Sequence, residues 1–219
     1  MREVEIHKDL KTLVEAQVAQ AVELISSMNS PKVALSGGTS GVLIAAGVIN
    51  ELNKANQLDG VQFFMADERF VELEDADSNL GQILGLIGDA KPNVYRFKTP
   101  SEADIQTAVS AANADLGIDF GFDLALMGCG PDGHTASLFP GHEYPDQTCV
   151  AEVDSPKPPS KRISFGYSAF SNSEHVWFSA SGAEKATAVS QALIGTQALP
   201  AGRITGLTST KWFITEELA

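Results

Sequence analysis

The amino-acid sequence predicts an α/β fold in three layers, a mainly parallel sheet with helices on both faces. Two observations lead there. Short apolar, β-branched and aromatic runs alternate with longer segments of helical period, the pattern of strands joined by crossover helices. Several of the runs are apolar at nearly every position, as strands buried on both faces are. The 219 residues, 43% hydrophobic and 20% charged, suffice for one large core. No internal repeat or long linker divides them, so one domain over residues 1–219 is expected, with a Rossmann-like arrangement.

The elements follow in order. Leu10, Leu13, Val14, Val18, Ala21, Val22 and Ile25 recur at three- and four-residue steps and define an amphipathic opening helix. After Pro31, residues 32–36 form a short buried strand, broken by Gly37-Gly38-Thr39-Ser40, and residues 41–52 are apolar enough for a buried helix. Residues 61–65 form the next strand and end at Asp67-Glu68-Arg69. Ser78-Asn79 caps a short helix reaching Ile87, and residues 94–97 make a short strand. Ser101 with Asp104 resembles a capping box for the helix that follows. Residues 122–127 are a near-continuous apolar strand that runs into Gly128-Cys129-Gly130-Pro131-Asp132-Gly133-His134. Residues 149–153, 163–167 and 176–180 are strand-like, 155–161 an irregular loop, 182–193 helical, and 212–215 a terminal strand.

Lys and Arg number 15 against 28 Asp and Glu, a formal charge of −13. Nucleic-acid binding needs a basic face and anionic membranes attract basic segments, so neither partner is expected. A small anionic substrate stays compatible if cations cluster locally against the global field. Residues 99–156 hold ten acids and no Lys or Arg, so any such cluster draws on other segments. The first eleven residues alternate charged and apolar and lack the hydrophobic stretch of an export signal; a cytoplasmic location is expected. Cys129 and Cys149 have no metal-ligand spacing, which predicts reduced thiols, no metal and no cofactor.

In open α/β sheets ligands gather beyond the carboxyl ends of strands, and both glycine-rich turns fall at such ends. Gly37, Gly38 and Thr39 precede a helix, so their amides suit a phosphate, although a plain tight turn is the commoner outcome for such a pair of glycines. This first loop is neither a P-loop nor a GxGxxG fingerprint. His134 is placed to exchange a proton near neutrality, with Asp132 two residues away to orient it; a histidine bonded only to its own loop is the even alternative. The amides of residues 128–133 are expected to support an oxyanion. Ser137 follows closely, but without a G-x-S-x-G elbow capping or packing is the better role.

The stretch Gly128-Cys129-Gly130-Pro131-Asp132-Gly133-His134-Thr135-Ala136-Ser137-Leu138-Phe139-Pro140-Gly141 closely resembles the signature of the 6-phosphogluconolactonases. Ser36-Gly37-Gly38-Thr39, Asp67-Glu68-Arg69, Lys157-Pro158-Pro159 with Arg162, and Gly182 with Lys185 resemble further segments of that family, in the same order. Ser40-Gly41 departs from the Thr-Pro or Ser-Pro usual after the first glycines. The resemblance implies the fold shared with glucosamine-6-phosphate deaminases and ribose-5-phosphate isomerases. It implies hydrolysis of 6-phosphoglucono-δ-lactone to 6-phosphogluconate, a step of the oxidative pentose phosphate route. Catalysis then falls to His134 and Asp132, and substrate or phosphate binding to Gly37, Gly38, Thr39, Asp67, Glu68, Arg69, Arg162 and Lys185, with Asp67 and Glu68 either binding sugar hydroxyls or holding Arg69. A monomer or weak homodimer is expected. Two rivals remain. The deaminases continue Gly-His as Ile-Ala-Phe-Asn-Glu-Pro, whereas Thr135-Ala136-Ser137-Leu138-Phe139-Pro140 stands here without the Glu. A non-catalytic sugar-phosphate sensor is opposed by His134 beside a cation set.

Overall fold

Alternation along the strands sorts the core into two halves. The computed structural model describes residues 2–219. Its central sheet has seven strands, all paired parallel, in the order β1 (Arg2–His7), β10 (Ser209–Thr215), β9 (His175–Ala180), β6 (Leu124–Gly128), β2 (Lys32–Leu35), β3 (Gln62–Met65) and β5 (Asn93–Tyr95). Successive side chains on a strand point to opposite faces. Val33, Leu35, Phe63, Met65, Leu124 and Leu126 enter one core, with helices α1 (Leu10–Ser26), α2 (Gly38–Lys54) and α3 (Asn79–Leu84). Ala34, Phe64, Ala125, Met127 and Phe178 enter the other, with α4 (Ile105–Leu116), α5 (Tyr167–Ser171), α6 (Ala186–Leu193) and α7 (Pro200–Arg203).

A second, antiparallel sheet joins that latter core. It consists of β4 (Asp67–Arg69), β8 (Arg162–Phe165) and β7 (Cys149–Glu152). Phe165 of β8 meets Phe122 edge to face, with ring centroids 4.8 Å apart, a favoured aromatic geometry. The mainly parallel sheet with helices on both faces is as the sequence predicts. The small sheet and β1 are not. Strand β4 is only three residues long, and β1 is an edge strand whose Val4 and Ile6 stay exposed.

Two helix starts also differ. Helix α2 begins at Gly38 rather than residue 41, since the glycine-rich turn is itself the first helical turn. The cap of α4 is Asp104, whose Oδ1 accepts the Thr107 amide at 3.0 Å. Ser101 sits outside the helix and donates its amide and hydroxyl to Glu72. Helix α3 stops at Leu84, short of Ile87. Among the described residues no helix is long and apolar enough to cross a membrane.

Candidate active site

Strands β2 and β6 are neighbours, so the turns that leave their carboxyl ends lie side by side. Between them opens a cleft of about 200 Å³, roofed by β4 and by the loop leading into β8. Residues 36–40 form one wall. Gly37 is the N-cap of α2 and supplies no capping side chain, so the amides of the first turn are left for a ligand, at the positive end of the helix dipole. A side chain on Gly37 would overlap the Asn79 amide, which closes this wall against α3.

His134 stands on the facing wall. Its Nδ1 is hydrogen-bonded to Asp132 Oδ1, which leaves Nε2 as the nitrogen able to accept a proton. The ring lies against Phe139, centroids 4.9 Å apart. Gly130 makes room for it, since a β-carbon there would overlap the imidazole. Burial lowers the His134 pKa, and the Asp132 hydrogen bond and charge oppose this without reversing it. For Asp132, burial acts upward, but its bond to His134 and the ring's charge hold the carboxyl below its usual range. The pair at neutral pH is therefore neutral imidazole beside carboxylate.

The turn before His134 differs from expectation in one respect. The Gly130 amide donates to the His134 carbonyl at 2.9 Å and the Gly133 amide to the Gly130 carbonyl at 3.0 Å. Both are engaged inside the turn, so they are not free oxyanion donors.

Four cations from three segments line the cleft: Arg69, Lys157 with Arg162, and Lys185. Lys161, in the same loop as Lys157, is exposed and lies outside it. Arg69 Nη1 donates to the Asp77 carbonyl at 2.9 Å and to Asn79 Oδ1 at 2.5 Å. Arg162 is buried, with Nε and Nη2 donating to the carbonyls of Pro159 and Lys157 at 3.1 and 3.0 Å. It shapes the proline-rich loop as much as it charges the cleft, and burial lowers its pKa.

The acids of β4 part company. Asp67 is buried at the cleft and accepts the Ser137 hydroxyl at 2.6 Å. Glu68 is not brought to the cleft. Along a strand its side chain points opposite to those of Asp67 and Arg69, and it accepts the amides of Arg69, Asn79 and Leu80 at 2.9, 2.7 and 2.8 Å. Burial pushes its carboxyl up to about 7, against these hydrogen bonds. Of the two roles open to Glu68, binding a sugar hydroxyl and holding Arg69, its place outside the cleft speaks against the first.

Ser137 is fully buried and serves Asp67, the packing role expected of it. Cys129 backs the cleft at 3% exposure, and burial raises its thiol to about 12, so it stays protonated and unreactive. Both cysteines are free thiols. Sequence reasoning gave Thr135 no role, yet it lines the cleft with a buried Oγ1 that has no partner. His142 Nδ1 approaches Glu152 Oε2 at 2.8 Å. Tyr144 donates to the same oxygen at 2.6 Å and accepts the Phe139 amide at 3.0 Å, a brace behind the His134 loop.

Residues 6–212 match the family model described as glucosamine-6-phosphate isomerases/6-phosphogluconolactonase. The chain belongs to this family. It is 34% identical to 6-phosphogluconolactonase 3 of Saccharomyces cerevisiae over 224 residues, 94% of this chain and 90% of the yeast protein. It is 33% identical to 6-phosphogluconolactonase of Mycobacterium leprae over 242 residues, 99% of this chain and 96% of that protein. Among solved family structures, 6-phosphogluconolactonase from Trypanosoma brucei superposes with a TM-score of 0.86 at 26% identity, covering 100% of this chain and 98% of that one. A monomeric glucosamine-6-phosphate deaminase shares the fold, with a TM-score of 0.78 at 18% identity over 99% of this chain and 98% of that one.

Proposed function

We propose that this chain hydrolyses 6-phosphoglucono-δ-lactone to 6-phosphogluconate. The observation that carries the reading is the pairing, in one cleft, of a neutral His134 held by Asp132 with four cations and the uncapped start of α2. The amides of Gly38 and Thr39 with Arg69, Lys157 and Lys185 take the phosphate, and Arg162 supports them. His134 Nε2 takes a proton from water as its oxygen bonds to C1 of the lactone. Collapse of the tetrahedral intermediate breaks the bond from C1 to the ring oxygen, and the imidazolium returns the proton to that oxygen. Asp132 stabilises the imidazolium in between. With the Gly130 and Gly133 amides engaged, the oxyanion draws on other donors.

Water is the nucleophile in this scheme. Ser137 is buried against Asp67 and Cys129 is held protonated, so neither is suited to a covalent intermediate. The deaminase reading has only the shared fold behind it, and the Glu of that pattern is absent after His134. His134→Ala should lower lactone hydrolysis about 10²–10⁴-fold, measured with spontaneous opening subtracted. A folded variant with unchanged turnover rejects the scheme, and ammonia release from glucosamine 6-phosphate by the wild type rejects the substrate.

A further inference from the structure

We propose that Glu68 is a positioning residue for Arg69, acting as the buckle of a strap formed by residues 70–78. The proposal rests on the phosphate-binding reading of the cleft, and its substance is the geometry behind Arg69. The strap leaves β4 at Arg69 and returns at α3. One carboxylate ties both ends: Glu68 Oε1 accepts the amides of Arg69 at 2.9 Å and Asn79 at 2.7 Å, and Oε2 accepts the Leu80 amide at 2.8 Å and faces the Ser78 hydroxyl at 3.4 Å. Asn79 and Leu80 open α3, so these donors have no partner within the helix.

What the buckle holds is the grip on Arg69. Asp77 and Asn79, the two residues that hydrogen-bond Arg69 Nη1, are the next-to-last of the strap and the first of α3. Asn79 also donates Nδ2 to the Asp67 carbonyl at 3.0 Å and packs against Gly37. Arg69 Nε is buried without a partner, so nothing holds the guanidinium from that edge. If the base of the strap loosens, Asp77 and Asn79 move together and the guanidinium loses its aim into the cleft. The outer part of the strap has its own anchor, since Glu72 accepts the Ser101 amide at 2.7 Å and its hydroxyl at 3.0 Å. Loss of the buckle is thus a local event.

Glu68→Gln keeps the side chain's shape but turns one acceptor into an NH₂ group that faces N–H or O–H donors. In the full-length chain it should raise KM for the phosphorylated lactone about tenfold, the scale of one charge-assisted hydrogen bond. kcat should stay within about twofold, as should kcat/KM for unphosphorylated glucono-δ-lactone. The deciding measurement is a double-mutant cycle with Arg69→Ala: the Glu68→Gln effect should vanish in that background. An equal loss with and without Arg69, or a loss confined to kcat, overturns the proposal. If Glu68→Gln does not fold, Glu68→Asp, which keeps the charge but shortens the reach to the Asn79 and Leu80 amides, is carried through the same cycle with the same two outcomes. Failure of the phosphate reading shows separately, as an Arg69→Ala loss that is equal for the two lactones.

Discussion

His134 and Asp132 are two residues apart, and nearly all that matters about them is local: a carboxylate on Nδ1, a free Nε2, and a glycine at 130 where a methyl group would overlap the ring. The pH dependence follows from the direction of the shift. The base must be neutral to act, and burial lowers its pKa, so the acid limb of kcat/KM should lie below the ordinary imidazole value of about 6.5. Asp132 is the group that favours the imidazolium. Asp132→Asn should therefore move the limb lower still and cost about 100-fold in kcat; a limb displaced upward rejects the pairing. The local motif was readable in sequence because its partners are sequence neighbours. Thr135 was in view too, but an unpartnered hydroxyl is a property of its surroundings and has no mark in the chain.

At the scale of elements, the long ones were legible and the short ones were not. Helix α1 and strands β3, β6 and β9 carry enough periodic or apolar residues to declare themselves. Strand β4 is three residues long, Asp67 to Arg69, and no pattern of two is visible in so short a run. That omission has a consequence for the site. Read as a loop, the three residues form one polar group; read as a strand, they alternate, and Glu68 turns away from the cleft. The start of α4 shows a different limit. Both Ser101 and Asp104 are acceptable caps, and only Asp104 bonds the Thr107 amide. Asp104→Ala should lower the thermal midpoint by a few degrees, with a smaller change for Ser101→Ala. The reverse order in a melting experiment rejects this assignment.

For the whole molecule the question is charge. A chain of net charge −13 binds a phosphorylated substrate in this scheme because four cations from three segments converge on one cleft. Lys185→Ala should raise KM for the phosphorylated lactone roughly three- to tenfold and leave unphosphorylated lactone unaffected. Lys161→Ala, outside the cleft, should change neither. Equal losses for both lactones at Lys185 reject its charge role. The absence of Lys and Arg from residues 99–156 did foretell that these cations come from elsewhere, but which of them arrive is set by packing.

The layered α/β fold is legible in the hydrophobic period of the chain, and the His134 loop in contiguous residues whose chemistry is local. Only the tertiary structure decided that Lys157 belongs to the cleft and Lys161 does not, that Glu68 holds a strap and faces no substrate, and that Gly130 and Gly133 keep their amides for the turn. The physical reason is common to all three. Each depends on the direction in which a side chain or amide points relative to a distant segment, and direction is fixed by strand alternation, helix starts and packing rather than by residue type.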